Sequence, residues 1–548
     1  MRQDQAIPDR RRTRTLAALA ALAVLVGPAP AARGLDGPDR LDLRLRSRVE
    51  ADGKYRVVET PASWAPRETA IIVCDMWDSH HCLNAVRRAG EMAPTMDRVL
   101  KAARDRGVVI IHAPSSCMDA YADHPARKHA TATPRAKAPP RDIAQWCRKI
   151  PNEEKGTYPI DQSDGGEDDD PAEHTKWAEE LAAKGLNPKS PWKSQLAALA
   201  IEPRDYISDG GEEIWSILED RGVKNVILMG VHLNMCVLGR PFGLRQMARY
   251  GKTVALMRDM TDTMYNPKAS PYVSHFAGTD LIIEHVEKFV APSITSDQFL
   301  GGSPFRFKDD RRPHVALLIS EDEYRTDATL PAFASASLNP DYFVTYVLSP
   351  EGGAGDLPGV GILDRADVAV VSVRRRALPG DQLGAIRRFV ASGRPIVGLR
   401  TANHAFAARA GAVVAPGREA WPGFDAEVWG GHYQGHHGAG PAATLAEAPG
   451  VSAHPILAGV DLAGLVGHGS LYKVGPLAGT TTPLLVGSIP GRPAEPVAWV
   501  NAPASGNRAF YTSLGHPDDF ASPAFNRLLR NAIDWAAGRL APIGSCRP

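Results

Sequence analysis

An excess of charge of either sign is missing from this chain, whose 548 residues carry a formal net charge of +1. That removes the electrostatic footing for a nucleic-acid or other polyanion partner. Cysteine is scarce as well. Six in so long a chain do not make a disulfide scaffold. Cys74 reads as buried strand packing, and Cys117 and Cys147 stand as one candidate pair that spacing alone does not decide. No segment repeats at a fixed period, which argues against a solenoid or propeller. Nor is there an apolar run long enough to cross a bilayer comfortably. With 44% hydrophobic and 23% charged residues the composition is that of ordinary globular protein, so function has to be read from sites.

What is present begins with an address. Arg10 to Arg14 supply a basic region, Leu16 to Val26 an apolar stretch of signal-peptide length, and Ala29-Pro-Ala31 a small-residue cleavage site. The expectation is a leader over 1–31 and a mature chain exported to the periplasm or beyond, by a general or a twin-arginine route.

Residues 32–65 are polar and predict an irregular lead-in. Apolar runs then follow at Ala70 to Cys74, Val108 to His112, Val226 to Val231, Thr253 to Met257 and Leu281 to Ile283. Amphipathic stretches separate several of them: Met92 to Arg106, Glu212 to Asp220 and Phe242 to Tyr250. Strands alternating with helices predict a mainly parallel sheet covered on both faces. The interval Met118 to Glu202 reads as a long insertion, and its acidic run Glu167 to Asp170 as a solvated loop. A polar linker over 296–312 leads to a second alternating region, 313–540, before a short tail, 541–548. Its strand candidates are His314 to Ile319, Phe343 to Leu348, Val368 to Val373, Pro395 to Leu399, Leu484 to Val486, Val497 to Val500 and Ala509 to Thr512. Its helix candidates are Asp381 to Ala391 and Phe525 to Ala537. The fold class expected is α/β: two tandem three-layer α/β/α domains with mainly parallel sheets.

Cys236 is expected where the buried strand Val226 to Val231 turns into a helix. There the N-terminal dipole predicts a lowered thiol pKa, and backbone N–H groups around Met235 and Cys236 can face an oxyanion. Asp75 ends the strand Ala70 to Cys74. In a parallel sheet strand C-termini share one edge, so the two side chains can face one crevice. A thiol, a carboxylate proton shuttle and oxyanion donors are what cysteine-based attack on a carbonyl requires. Residue types alone leave open a packed Cys236 and a helix-capping Asp75.

Four segments resemble the isochorismatase-like cysteine hydrolase family over roughly 66–295. They are Ala70-Ile-Ile-Val-Cys-Asp75-Met, Val108-Val-Ile-Ile-His-Ala-Pro114, Gly222 through Cys236-Val, and Gly251-Lys-Thr-Val-Ala-Leu-Met-Arg-Asp259. The resemblance implies Asp75 as catalytic base, Cys236 as nucleophile, and a cis peptide at Val231-His232 shaping an oxyanion hole with Met235 nearby. The family's third catalytic residue, a lysine, has no counterpart in Asp205 to Trp215. Ser208 or Asp209 stands near its place, and Lys193 lies upstream. His112 and His232 are pocket candidates or core histidines. No cofactor is required by this reading. Asp78, His80 and His81 leave a divalent metal as an option, without the Asp-x-His spacing that nicotinamidase-like members use.

In the second region, Gly430 to His437, Gly469-Ser-Leu-Tyr472, Pro496 to Val500 and Arg508 to His516 resemble the ThuA-like, trehalose-utilisation family, whose fold is similar to class I glutamine amidotransferases. No cysteine lies between Cys236 and Cys546, so thiol-based glutaminase chemistry is excluded there. His404, His432, His436, His437 and His516 are the candidate site, for sugar or metal, with Trp421, Trp429 and Tyr433 expected as exposed aromatics for sugar stacking. The expected partners are a small-molecule substrate, a carbohydrate and further copies of the same chain, with no nucleic acid and no membrane once the leader is gone. Three functions are open: a cysteine hydrolase of a small amide, imide or vinyl ether; a non-catalytic ligand- or sugar-binding protein; or sugar modification by the second domain.

Overall fold

Two sheets organise the chain, and the computed structural model describes residues 40–350, 352–409, 411–438 and 440–540. The expected leader, Cys546 and the tail lie outside the described residues. In the N-terminal domain the strands are β1 Leu41–Ala51, β2 Lys54–Trp64, β3 Thr69–Cys74, β4 Val109–Ala113, β5 Tyr206–Ile207, β6 Asn225–Val231, β7 Thr253–Asp262 and β8 Ser293–Ile294. Their spatial order is β2-β1-β8-β7-β6-β3-β4-β5. From β8 to β5 all pairings are parallel, and β1–β2 adds an antiparallel hairpin at the β8 edge. Wholly buried strands such as β3, β4 and β6 carry apolar residues on both faces because helices cover both. The helices Leu83–Asp105 and His275–Phe289 are among these covers.

The C-terminal domain contributes β9 His314–Ser320, β10 Phe343–Leu348, β11 Val368–Val373, β12 Leu378–Pro379, β13 Ile396–Leu399, β14 Arg418–Glu419, β15 Ala443–Glu447, β16 Val466–Gly467, β17 Thr481–Ser488, β18 Glu495–Asn501 and β19 Ala509–Thr512. Its nine-stranded sheet runs β10-β9-β11-β13-β19-β18-β17-β15-β16, while β12 and β14 form a separate ribbon. The half from β10 to β19 is parallel and the remainder antiparallel. All seven strands and both helices expected here are present to within a few residues. The molecule is therefore α/β with two large sheets. Among the described residues no helix is long and apolar enough to cross a membrane.

Four expectations are corrected. The segment before Trp64 is not irregular: Asp52 and Gly53, both with positive φ, close an eleven-plus-eleven-residue hairpin, as an Asp-Gly turn favours. One face, with Leu41, Leu43 and Trp64, packs in the N-terminal core, and the hairpin also reaches the second domain. Val57 enters the C-terminal core, and Arg56 and Asp52 reach Asp327 and Arg325. Leu281 to Ile283 is not a strand but the middle of the helix His275–Phe289; so short an apolar run does not distinguish the two. The acidic run is no solvated loop. Asp168 pairs with Arg88, Asp169 accepts the N–H groups of Leu83 and Asn84 at a helix start, and Asp170 caps the helix Pro171–Ala183. Finally, Cys117 and Cys147 are both free thiols.

Candidate functional site

The parallel register brings the site together. Cys74 on β3 is level with Ala113 on β4 and Gly230 on β6, so the residues leaving these three strands emerge side by side. Asp75, at φ 46°, leaves β3 with a carboxylate wholly removed from solvent. Its Oδ1 accepts the Ser115 N–H at 2.8 Å and its Oδ2 accepts Arg240 Nε at 3.0 Å. Gly230, at φ 109°, is required by this close packing, since a Cβ there would lie 2.0 Å from the Cys74 carbonyl oxygen.

Beyond β6 the Val231–His232 bond is cis, and a π-helical turn over Leu233–Val237 carries Cys236. Asp75 and Arg240 both act electrostatically on the Cys236 thiol. Burial, followed by the negative Asp75, pushes the thiol pKa well above its ordinary range, with Arg240 pulling the other way. The lowering expected from a helix dipole is overturned. The turn is only five residues long and the chain breaks again before the next helix at Leu244, so there is little dipole to set against desolvation. At rest the sulfur is a neutral thiol.

Arg240 is the residue missed in the sequence. It stands four places after Cys236, and its backbone N–H bonds to the Cys236 carbonyl at 3.0 Å, so both side chains share one side of the turn. That spacing was the available signal. The guanidinium also lies 4.8 Å from the Trp146 ring. The other candidates for the third position make different contacts. Lys193 is exposed, with its backbone N–H on Asp78. Asp209 accepts the Ser116 N–H at 2.8 Å and so holds the loop after β4. Ser208 bonds the Gly210 N–H.

His112 is not a pocket residue. It points to the opposite face of β4 from Ile111, wholly buried among Gln195, Asp205 and Arg104. His232 is buried, its pKa lowered to about 4 chiefly by desolvation, and its ring meets His80 at 5.0 Å. His80 extends a stack made by Trp77 and Trp192, whose centroids are 4.4 Å apart. The stack begins two residues after Asp75, and the Trp77 indole N–H donates to the Ser115 carbonyl at 3.0 Å. Met235 is half-buried beside Cys236 and, with Gly239, lines an adjoining cavity of about 650 Å³ whose walls do not include Asp75 or Cys236.

Asp78, His80 and His81 do not converge as a metal site. Asp78 is occupied by Lys193 N–H and the Ser194 hydroxyl, and His80 Nδ1 accepts the Cys82 N–H. Among the described residues, the group whose potential ligand atoms fall within 4.8 Å of one another is Cys82, Glu167 and Asp169.

The histidines of the C-terminal domain separate. His404 and His436 line a cavity of about 280 Å³ together with Arg375, Tyr433 and Tyr472. His432 is held by Asp425 and His437 by Glu495, away from that cavity. His516 stacks near His468. Trp429 is a core residue, its indole N–H on the Ala402 carbonyl, rather than an exposed sugar platform.

Residues 356–536 match the family model ThuA, described as trehalose utilisation. No curated protein matches the chain. Among solved structures, a putative ThuA-like protein from Bacteroides uniformis is 16% identical over 43% of this chain and 95% of its own, with a TM-score of 0.33. A cysteine hydrolase from Pseudomonas syringae pv. phaseolicola is 17% identical over 43% of this chain and 92% of its own, at a TM-score of 0.27. An isochorismatase family protein from Burkholderia thailandensis is 14% identical over 42% and 93%, at 0.23. The chain is thus similar to ThuA-like proteins in its C-terminal part and to isochorismatase-family cysteine hydrolases in its N-terminal part.

Proposed function

We propose that the N-terminal domain is a cysteine hydrolase of a small amide, imide or vinyl-ether substrate, joined to a ThuA-like domain with a carbohydrate-related role. The observation that carries this reading is a single buried carboxylate, Asp75, bonded to the Arg240 guanidinium and acting, with it, on the Cys236 thiol. Proton transfer from Cys236 to Asp75 moves a negative charge from oxygen to sulfur beside a fixed cation, so the net charge of the site does not change. That makes the step feasible in a desolvated setting where free ionisation of the thiol is not.

For an amide the thiolate then adds to the carbonyl carbon, and backbone N–H groups of the turn carrying Cys236 would face the developing oxyanion, that of Met235 excepted because it bonds to the His232 carbonyl at 3.0 Å. Asp75 returns its proton to the leaving nitrogen as the C–N bond breaks. The resulting thioester is hydrolysed by a water that Asp75 deprotonates, which regenerates the thiol. Trp77, Trp192 and His80 would hold the flat part of the substrate.

Turnover of a panel of small amides, imides and vinyl ethers tests the proposal. Asp75→Asn and Cys236→Ala are each expected to cost at least about 1,000-fold in kcat/KM. The same burial and neutral thiol favour a second reading, a site that holds ligand without turning it over. Binding without product release in the wild type would select it. The proposed setting is outside the cytoplasm, supported by the basic and apolar segments of the first 31 residues, and a mature N-terminus near Ala32 is the expected finding.

A further inference from the structure

The C-terminal domain holds a second, unassigned group of polar side chains where β9, β11 and β13 end. β13 runs straight into Arg400, at φ 41°, which opens a 3-10 turn over Arg400–His404. Arg400 is only 2% exposed, and its Nη1 donates to the Ser513 carbonyl at 2.8 Å. Its Nε and Nη2, the two parallel donors of one edge of the guanidinium fork, have no hydrogen-bond partner, and neither do Thr401 Oγ1 and Asn403 Nδ2 on the same turn. Orphaned buried polar atoms are costly, and these four lie on one turn behind the cavity described next.

The guanidinium sits 4.2 Å from the Tyr324 ring and 4.9 Å from the Tyr472 ring. Both rings wall the 280 Å³ cavity. Arg400 stands against these walls without lining the cavity, which is lined by three other arginines, Arg374, Arg375 and Arg409, against one carboxylate, Glu323, which Arg374 already engages. Arg375 and Arg409 have no acidic partner among the described residues. Other walls suit hydroxyl groups. His404 donates from Nδ1 to Asn403 Oδ1 at 2.7 Å. Desolvation and the neighbouring arginines bring its pKa down to about 3, which leaves Nε2 an acceptor. Tyr433 Oη and His436 Nδ1 are 3.0 Å apart, and Ser470 completes the edge.

We propose that this cavity binds an anionic monosaccharide, a sugar ring carrying a carboxylate or a phosphate that the unpaired arginines take, with the ring against Tyr433 and Tyr472. Arginine forks match both oxyanions, and the aromatic faces match a sugar's C–H face. The inference rests on the carbohydrate reading of this domain and adds the charge of the ligand. The position, outside the carboxyl ends of parallel strands, is where open α/β sheets bind ligands.

Calorimetric titration of the intact chain with glucuronate, glucose 6-phosphate, glucose and inorganic phosphate tests it. Arg375→Gln serves as the variant, because no acid partner is stranded by it, and its melting temperature is checked against the wild type. The expected result is binding of one or both anionic sugars at least about tenfold tighter than glucose or phosphate, and an at least about tenfold loss in Arg375→Gln. Whichever anionic sugar binds names the anion. Glucose binding as tightly as the anionic sugars overturns the charge assignment while leaving the carbohydrate reading in place. Inorganic phosphate binding as tightly as the sugars, or no sugar binding at millimolar concentration, overturns both. Unchanged affinity in Arg375→Gln overturns the site.

Discussion

Arg240 Nε lies 3.0 Å from Asp75 Oδ2, and Arg240 stands one helical turn beyond Cys236. The carboxylate proposed to accept the thiol proton is thereby tied to a cation that also acts on the sulfur. Arg240 lowers the thiol pKa that burial and Asp75 raise, so it occupies the electrostatic place for which the sequence offers no lysine.

Replacing the cation should therefore slow both chemistry and alkylation. Arg240→Gln is expected to lower kcat/KM by about 100-fold and to reduce further the rate at which iodoacetamide labels Cys236. Arg240→Lys should restore part of each. A variant that leaves both rates unchanged would reduce Arg240 to a structural residue.

The wild-type thiol should label slowly near neutral pH. Its pKa is raised, so the thiolate fraction grows as pH rises. The labelling rate is expected to climb roughly tenfold per pH unit between about pH 7 and 9 without a plateau. Asp75→Asn strands Arg240, at a cost of about 3 kcal/mol in stability. Rapid, pH-independent labelling of the wild type would contradict the burial argument.

Glu153 supplies an acid-sensitive clasp between the insertion and two helices. Burial alone would raise its pKa, but His285 and Arg245 hydrogen bonds override that and hold it near 2. A carboxylate with a depressed folded pKa stabilises above its unfolded value, about 4.5, and that contribution is lost as pH falls toward 2. Thermal melts from pH 6 to 3 should show a steeper decline for the wild type than for Glu153→Gln.

Val57 tests the hairpin as a strut between domains. It is 2% exposed within the C-terminal core although it belongs to β2. Val57→Ala is expected to cost about 2 kcal/mol, read as a lower melting temperature. If only residues of the N-terminal domain lose protection in hydrogen exchange, the strut does not couple the two halves.

Much of this is legible in the sequence. The parallel strands announce themselves as unbroken apolar runs, and Asp75 and Cys236 follow from where two of those runs stop. The hairpin is legible too: Leu41, Leu43 and Leu45 alternate with Asp42, Arg44 and Arg46 before the Asp52-Gly53 turn, and the leucine face packs in the core. Its high charge masks that alternation, because the opposite face carries Arg46 and Arg48, which meet Glu287. Arg240 was hidden because a cation was sought on another strand, while the chain supplied it from the nucleophile's own turn. The acidic run misled for the opposite reason: charge in a loop usually means solvent, whereas Asp168 and Asp169 are spent on Arg88 and a helix start. His112 shows that alternation along a strand decides which of two faces a histidine serves.

The central claim is that Asp75 and Cys236 act as one unit, and a double-mutant cycle measures it most directly. On the best substrate of the panel, kcat/KM is compared for the wild type, Asp75→Asn, Cys236→Ala and the double variant. The expected result is that the double variant is no slower than the worse of the two single variants, each already reduced by at least about 1,000-fold. Turnover by Cys236→Ala within about twofold of the wild type, or losses that simply multiply, would contradict it.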